Sequence, residues 1–142
     1  MLVSDLLRRK GNFVATTAPD TTVADLLDQL AEHQVGALVV STDGVTVEGI
    51  VSERDVVRAM RTAGAALLDA PVTDLMTRDV IVTSPGESLE KMMRLMTERR
   101  IRHVPVVANG RLTGIISIGD VVKGRIDDLE SDRDQLIGYI SR

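Results

Sequence analysis

Apolar residues Val3, Leu6 and Leu7 recur on one helical face and the run stops before Gly11, which predicts a short helix over 3–9. Phe13 to Thr16 reads as a short strand, and Pro19-Asp20-Thr21-Thr22 as a turn whose Thr21 or Thr22 caps the next helix. Val23, Leu26, Leu27 and Leu30 form the inward face of that helix. After Gly36 the pattern changes to a buried strand, Ala37 to Val40, then an Asp43-Gly44 hairpin signal and a return strand, Val47 to Val51. A helix beginning at Ser52 carries Val56, Val57 and Met60, and the small residues from Thr62 to Pro71 suggest helical turns over the surface. The order then repeats: a strand from Val80 to Thr83, a Pro85-Gly86 turn, and a helix with Leu89, Met92, Met93 and Met96 inward. Ser88 caps that helix without the acidic third residue of a capping box. His103 to Val107 and Leu112 to Ser117 make a hairpin around Asn109-Gly110. The last helix runs from Ser117 to about Ile140, with Val122, Ile126, Leu129, Leu136 and Ile140 in a four-three alternation broken at Arg133. Such a seam needs a partner, and the charged stretch Asp127 to Asp134 favours a second chain over burial within the same one.

The repetition extends to single residues. Pro85, Met92, Ile101 and Val106 stand 66 positions after Pro19, Leu26, Val35 and Val40. Gly49-Ile50-Val51-Ser52-Glu53-Arg54-Asp55 returns as Gly114-Ile115-Ile116-Ser117-Ile118-Gly119-Asp120 at an offset of 65, because one hairpin is a residue longer. Val3-Ser4-Asp5-Leu6-Leu7 echoes Val72-Thr73-Asp74-Leu75-Met76 at an offset of 69, so the first copy carries three extra residues around Arg9-Lys10-Gly11. The expected boundaries are a first repeat over 1–64, a linker over 65–71, a second repeat over 72–126 and a helical extension over 127–142.

Composition narrows the function classes. In 142 residues, 44% hydrophobic but only 1% aromatic, the two units must share an aliphatic core. A net charge of −4 argues against a nucleic-acid surface. Zero cysteines removes thiolate chemistry and disulfides and fits a reducing compartment. Without an apolar run of membrane-spanning length, the expectation is a soluble cytoplasmic protein.

Ser52 with Asp55, and Ser117 with Asp120, fit a helix N-cap followed by a first-turn acid. His33 and His103 stand apart without companion ligands, so no metal site is expected. Neither a nucleophile with a base nor an acid/base dyad is evident, and no enzyme is expected.

With two copies of strand, helix, strand, strand, helix, each ending in Gly-hydrophobic-hydrophobic-Ser-x-x-Asp, and with Arg102-His103-Val104-Pro105-Val106 as a further element, the chain resembles a tandem pair of cystathionine-β-synthase (CBS) domains, a Bateman module of the small stand-alone bacterial type. The resemblance implies an α/β (α+β) fold of two pseudo-symmetric β-α-β-β-α repeats packed as a pair, with a long C-terminal helix. It also implies a regulatory module that binds adenosine-containing ligands, AMP, ADP, ATP, NAD or S-adenosylmethionine, in two clefts between the repeats. A homodimer and an unidentified regulated partner belong to the same expectation.

Carried onto this sequence, the resemblance makes Asp55 and Asp120 ribose acceptors, with Ser52, Ser117 and the helix starts facing phosphate. Asp55 would share a cleft with Val80, Ile81, Arg102, His103 and Val104, and Asp120 with Val14, Gly36, Ala37 and Leu38, the aliphatic residues sandwiching adenine. Arg54, Arg102 and His103 would make the Asp55 cleft the phosphate-binding one, since Gly119, Gly36 and Ala37 stand at the matching positions of its mate. The rival expectation is an interaction protein with vestigial clefts that acts through its C-terminal helix.

Overall fold

The computed structural model describes residues 1–11 and 14–141. Five helices and five strands are present among them: α1 (Val3–Lys10), β1 (Thr16–Thr17), α2 (Val23–His33), β2 (Ala37–Val40), β3 (Gly49–Ser52), α3 (Glu53–Ala63), α4 (Leu89–Arg99), β4 (His103–Ala108), β5 (Arg111–Ser117) and α5 (Ile118–Ile140). This is the mixed α/β architecture expected, with α5 far longer than α3.

The caps form as the side-chain chemistry dictates. Thr22, Ser52, Ser88 and Ser117 each accept a hydrogen bond from the backbone N–H three residues on. Ser88 does so without a reciprocal acid, as its sequence requires. Gln34 and Arg100, which end α2 and α4, both adopt φ 54° in the left-handed region. Asn109 and Gly110 also take positive φ, which is the hairpin turn that this dipeptide favours.

The chain divides into two compact units that do not follow the order of the repeats. One contains residues 1–12, 82–107 and 114–142, and the other residues 13–81 and 108–113. Helix α1 therefore packs with the second copy, and the segment from Val72 with the first.

In the unit built on the first copy, β2 lies parallel to β1 and antiparallel to β3, with Ala37 opposite Ser52 and Val40 opposite Gly49. Its core is Val23, Leu26, Leu30, Leu38, Val40, Val51, Val56, Leu67 and Val72. Val72 N–H donates to Thr21 O at 2.8 Å and Val23 N–H to Ala70 O at 2.9 Å, which stitches the linker to the start of α2. Leu27, expected to face inward, is 36% exposed, and Val57, one of the apolar residues on α3, is 72% exposed. A single layer of packing covers less of each helix than the apolar stripe offers. Asp43 closes the β2–β3 loop by accepting from the N–H groups of Thr46 and Val45, which hold its carboxyl well below the ordinary carboxylate range.

In the other unit β4 and β5 form the hairpin sheet, over a core of Val3, Leu6, Leu89, Met92, Met96, Val104, Val106, Ile116 and Val121. The strand expected from Val80 to Thr83 is reduced to one parallel bridge between Thr83 and Val106. Val80 N–H turns back to Arg78 O, and Pro85 closes the segment, so only Thr83 reaches the sheet edge. The first-copy strand is likewise only Thr16–Thr17; Phe13, where it was expected to begin, lies outside the described residues. On α5 the buried positions are Val121 and Gly124, while Val122, Ile126, Leu129, Leu136 and Ile140 are exposed. The seam and the packing face are thus different stripes of one helix.

Candidate functional site

Each Gly-Ile motif exists because a neighbouring element presses on its glycine. A Cβ on Gly49 would stand 2.6 Å from Met76 Sδ and 3.0 Å from Thr77 O, and one on Gly114 would strike the methyl groups of Leu7. Leu7 and Met76 are the residues that the 69-residue echo pairs, so the same close approach is built twice. The strand then runs into Ser52 or Ser117, where it stops at a helix.

At the first end, the carboxylate of Asp55 and the hydroxyl of Ser52 cap each other. Asp55 Oδ2 accepts from Ser52 N–H at 2.8 Å and from Ser52 Oγ at 3.0 Å, and Asp55 N–H donates to Ser52 Oγ at 3.3 Å. Glu53 N–H donates to Gly36 O at 3.0 Å, which sets the start of α3 against the entry to β2. Arg54 is exposed in the same turn, and among the described residues no lysine or arginine is ion-paired with Asp55.

At the second end, Ser117 N–H donates to Asp120 Oδ2 at 2.9 Å, Asp120 N–H to Ser117 Oγ at 3.1 Å, and Ile118 N–H to Arg102 O at 2.8 Å. Here a cation has arrived. Lys10 Nζ donates to Asp120 Oδ2 at 2.7 Å and to Ile115 O at 2.9 Å. Burial raises the Asp120 carboxyl, but the Lys10 ammonium and the Ser117 N–H outweigh it and leave it below the ordinary carboxylate range.

Lys10 is held in place by the whole of α1. The N-terminal amine of Met1 reaches Asp128 Oδ2 at 3.0 Å while Lys10, at the other end, reaches Asp120, so α1 runs antiparallel to the first turns of α5, and Arg9 adds an ion pair to Asp127 Oδ2 at 2.7 Å. At 1.5 Å per residue, the distances Met1 to Lys10 and Asp120 to Asp128 are both about 12–14 Å along their helices, which lets both ends of α1 pair at once. The start of α1 is fixed by Val3 N–H on Glu87 O and Ser4 N–H on Pro85 O, both 2.9 Å, and Gly124 lets α5 lie directly on Leu6 and Leu89.

The other expected site residues fall as follows. Gly36, Ala37 and Leu38 belong to the unit of Ser52, Arg54 and Asp55, as do Val14, Val80 and Ile81; Ala37 faces Ser52 across the ladder. Arg102, His103 and Val104 belong to the unit of Ser117 and Asp120. Leu38 and Val104 are spent in the cores of their units, whereas Val14, Val80 and Ile81 are half-buried. Arg102 is exposed at the entry to β4, and His103 is engaged within the protein. Lys10 is the functional candidate that sequence reasoning passed over. Its signal was the three-residue excess around Arg9-Lys10-Gly11, which marks a place where the copies differ in what they deliver. Among the described residues no group of three or more His, Cys, Asp or Glu side chains is arranged to hold a metal ion, and no helix is long and apolar enough to cross a membrane.

The chain has clear relatives of known fold. It is 34% identical to the mitochondrial CBS domain-containing protein CBSX3 of Arabidopsis thaliana over 97% of this chain and 71% of that one. A solved CBS-domain protein from Agrobacterium tumefaciens, ATU1752, superposes with a TM-score of 0.84 at 47% identity, covering 88% of this chain and 99% of that one. CBSX2, solved in complex with AMP, superposes with a TM-score of 0.71 at 31% identity over 89% of this chain and 96% of its own. The CBS domain family model matches residues 3–62 and again 72–127, and with caps, left-handed helix ends and crowded glycines repeated in both matched stretches, this chain belongs to the CBS-domain family as a tandem pair.

Proposed function

We propose that this chain is a cytoplasmic regulatory sensor, not an enzyme, that binds an adenosine-containing nucleotide (AMP, ADP, ATP or NAD) with the ribose on Asp55. The observation that carries the reading is the state of that carboxylate. Ser52 orients Oδ2 of Asp55 through two hydrogen bonds and holds the carboxylate half-buried at the start of α3. An ionised carboxylate only accepts, and a ribose diol offers two donors, so the pair is complementary. Arg54, exposed in the same turn of α3, supplies positive charge for a phosphate beside the helix N-terminus. The AMP carried by the related CBSX2 structure supports the same ligand class. Titration calorimetry of AMP into the full chain tests it: saturable heat that disappears in Asp55→Ala is the expected result. Unchanged affinity in a folded Asp55→Ala protein would return the motif to a helix start.

A second reading, compatible with the first, is that two copies associate through α5. Ile126, Leu129, Leu136 and Ile140 keep a four-three spacing and are exposed, and an apolar seam of this period pairs with another helix. Shortening the chain to end at Asp128 keeps the ion pairs to Met1 and Arg9 but removes most of the seam. Sedimentation should show a dimer for the full chain and a monomer for the shortened one; a full-length monomer at high concentration would rule the dimer out.

A further inference from the structure

We propose that Lys10 is a built-in occupant of the Asp120 carboxylate, standing where a ligand's ribose hydroxyls would donate, so that nucleotide fills the Asp55 end and is refused at the Asp120 end. The inference rests on the reading of Asp55 as a ribose acceptor and extends it to a rule of selectivity.

The two carboxylates are presented alike, each oriented by the serine three residues before it, and among the described residues only Asp120 is paired with an ammonium group. Lys10 Nζ at 2.7 Å from Asp120 Oδ2 already supplies the charge-assisted donor that a hydroxyl would supply, and its second bond, to Ile115 O, fixes its direction. An incoming diol must displace a donor that carries full charge with one that does not. The occupant is also tethered: α1 is pinned along α5 through Met1 and Arg9, so Lys10 returns to Asp120 at a high effective concentration. The depressed Asp120 carboxyl agrees with this, since the bound cation stabilises the charged form. At the Asp55 end Ile50 O, the counterpart of Ile115 O, accepts instead from the backbone N–H of Thr77 at 2.9 Å, and among the described residues no lysine or arginine is ion-paired with Asp55. The residue 69 positions after Lys10 is Asp79, which cannot play the part.

The test is titration of AMP into five full-length proteins: the native chain, Lys10→Met, Lys10→Arg, Asp55→Ala and the Asp55→Ala/Lys10→Met double variant. Stoichiometry should rise from about one to about two nucleotides per chain in Lys10→Met, and the double variant should recover at least about tenfold of the affinity lost in Asp55→Ala. Lys10→Arg, which keeps a cation on the short tether, should behave as the native chain. Thermal melts of each variant without nucleotide establish that it is folded. Unchanged stoichiometry in Lys10→Met together with a double variant no better than Asp55→Ala would overturn the proposal. Weaker AMP binding in Lys10→Met would overturn it too, by making Lys10 a phosphate ligand. Failure of the Asp55 reading looks different: it appears in the native chain and Asp55→Ala, before Lys10 is touched.

Discussion

The Asp55 end and the Asp120 end are the same frame with different charges. In both, a glycine is crowded by the side chain of the segment that opens the other copy, Met76 on Gly49 and Leu7 on Gly114, a strand ends in a serine, and serine and aspartate cap each other. In both, the first helical N–H is tied to the residue that leads into the neighbouring strand, Gly36 or Arg102. They diverge at one carbonyl. Ile50 O is satisfied by the backbone of Thr77, whereas Ile115 O is satisfied by the ammonium of Lys10, which then also reaches Asp120. Backbone acceptors at a strand end take whatever donor the neighbouring segment presents, and a duplicated frame leaves each copy to find its own. The partner chosen for one carbonyl decides whether the carboxylate beside it also gains a cationic neighbour. A small difference in connection thus gives one of two similarly capped carboxylates an ammonium partner.

The variant expected to break the comparison most strongly is Asp55→Ala. Losing charge-assisted acceptors worth about 1.5–3 kcal/mol should weaken AMP roughly tenfold to a hundredfold, read by calorimetry. Its folding stability should drop by only about 0.5–2 kcal/mol, the usual cost of a lost cap interaction, read by urea denaturation. Asp120→Ala should leave AMP affinity within error, and an equal loss in both variants would erase the asymmetry.

The next largest effect concerns the crowded glycines. Gly49→Ala should cost about 1–3 kcal/mol through overpacking, because its Cβ meets the backbone oxygen of Thr77 as well as Met76. Gly114→Ala should cost less, since only the flexible Leu7 side chain has to move. Denaturation midpoints of the two variants decide it, and the reverse order would show that the second end is the more tightly built.

The smallest effect is on acid stability. A carboxylate whose pKa is lowered by folding adds stability above the unfolded Asp value of about 3.9, and that stability is lost as pH falls through the folded value. Asp120 is such a group, so Lys10→Met should destabilise the protein by at most about 1 kcal/mol near pH 7, as expected for a partly exposed pair. The native and variant midpoints should converge as pH falls below the unfolded Asp value; a gap unchanged at every acidic pH at which both proteins still fold would mean that Lys10 acts through packing and not through the charge of Asp120.

How far the chain could be read in advance depended on whether a feature is local. The repeat, the serine and threonine caps, the Asn109-Gly110 turn and the length of α5 follow from residues within a few positions of one another. Hydrogen bonds between a side chain and a backbone three residues away form wherever those residues occur, so periodicity and composition suffice for them. The Ser-x-x-Asp pairs were legible for the same reason.

Tertiary structure decided the rest. Whether Leu27 and Val57 face the core depended on how much of each helix its unit covers, and periodicity marks a face without saying how wide a stripe will be buried. Likewise α5 carries two apolar stripes, and only contact with α1 and α4 selected Val121 and Gly124 as the one inside. Above all, the pairing of Lys10 with Asp120 joins residues 110 positions apart. It arises because α1 packs with the second copy and not with the first, which it precedes in sequence. Local pattern determined that there would be two identical carboxylates; only the packing of a distant helix, whose charged end had to land beside one of them, made them unequal.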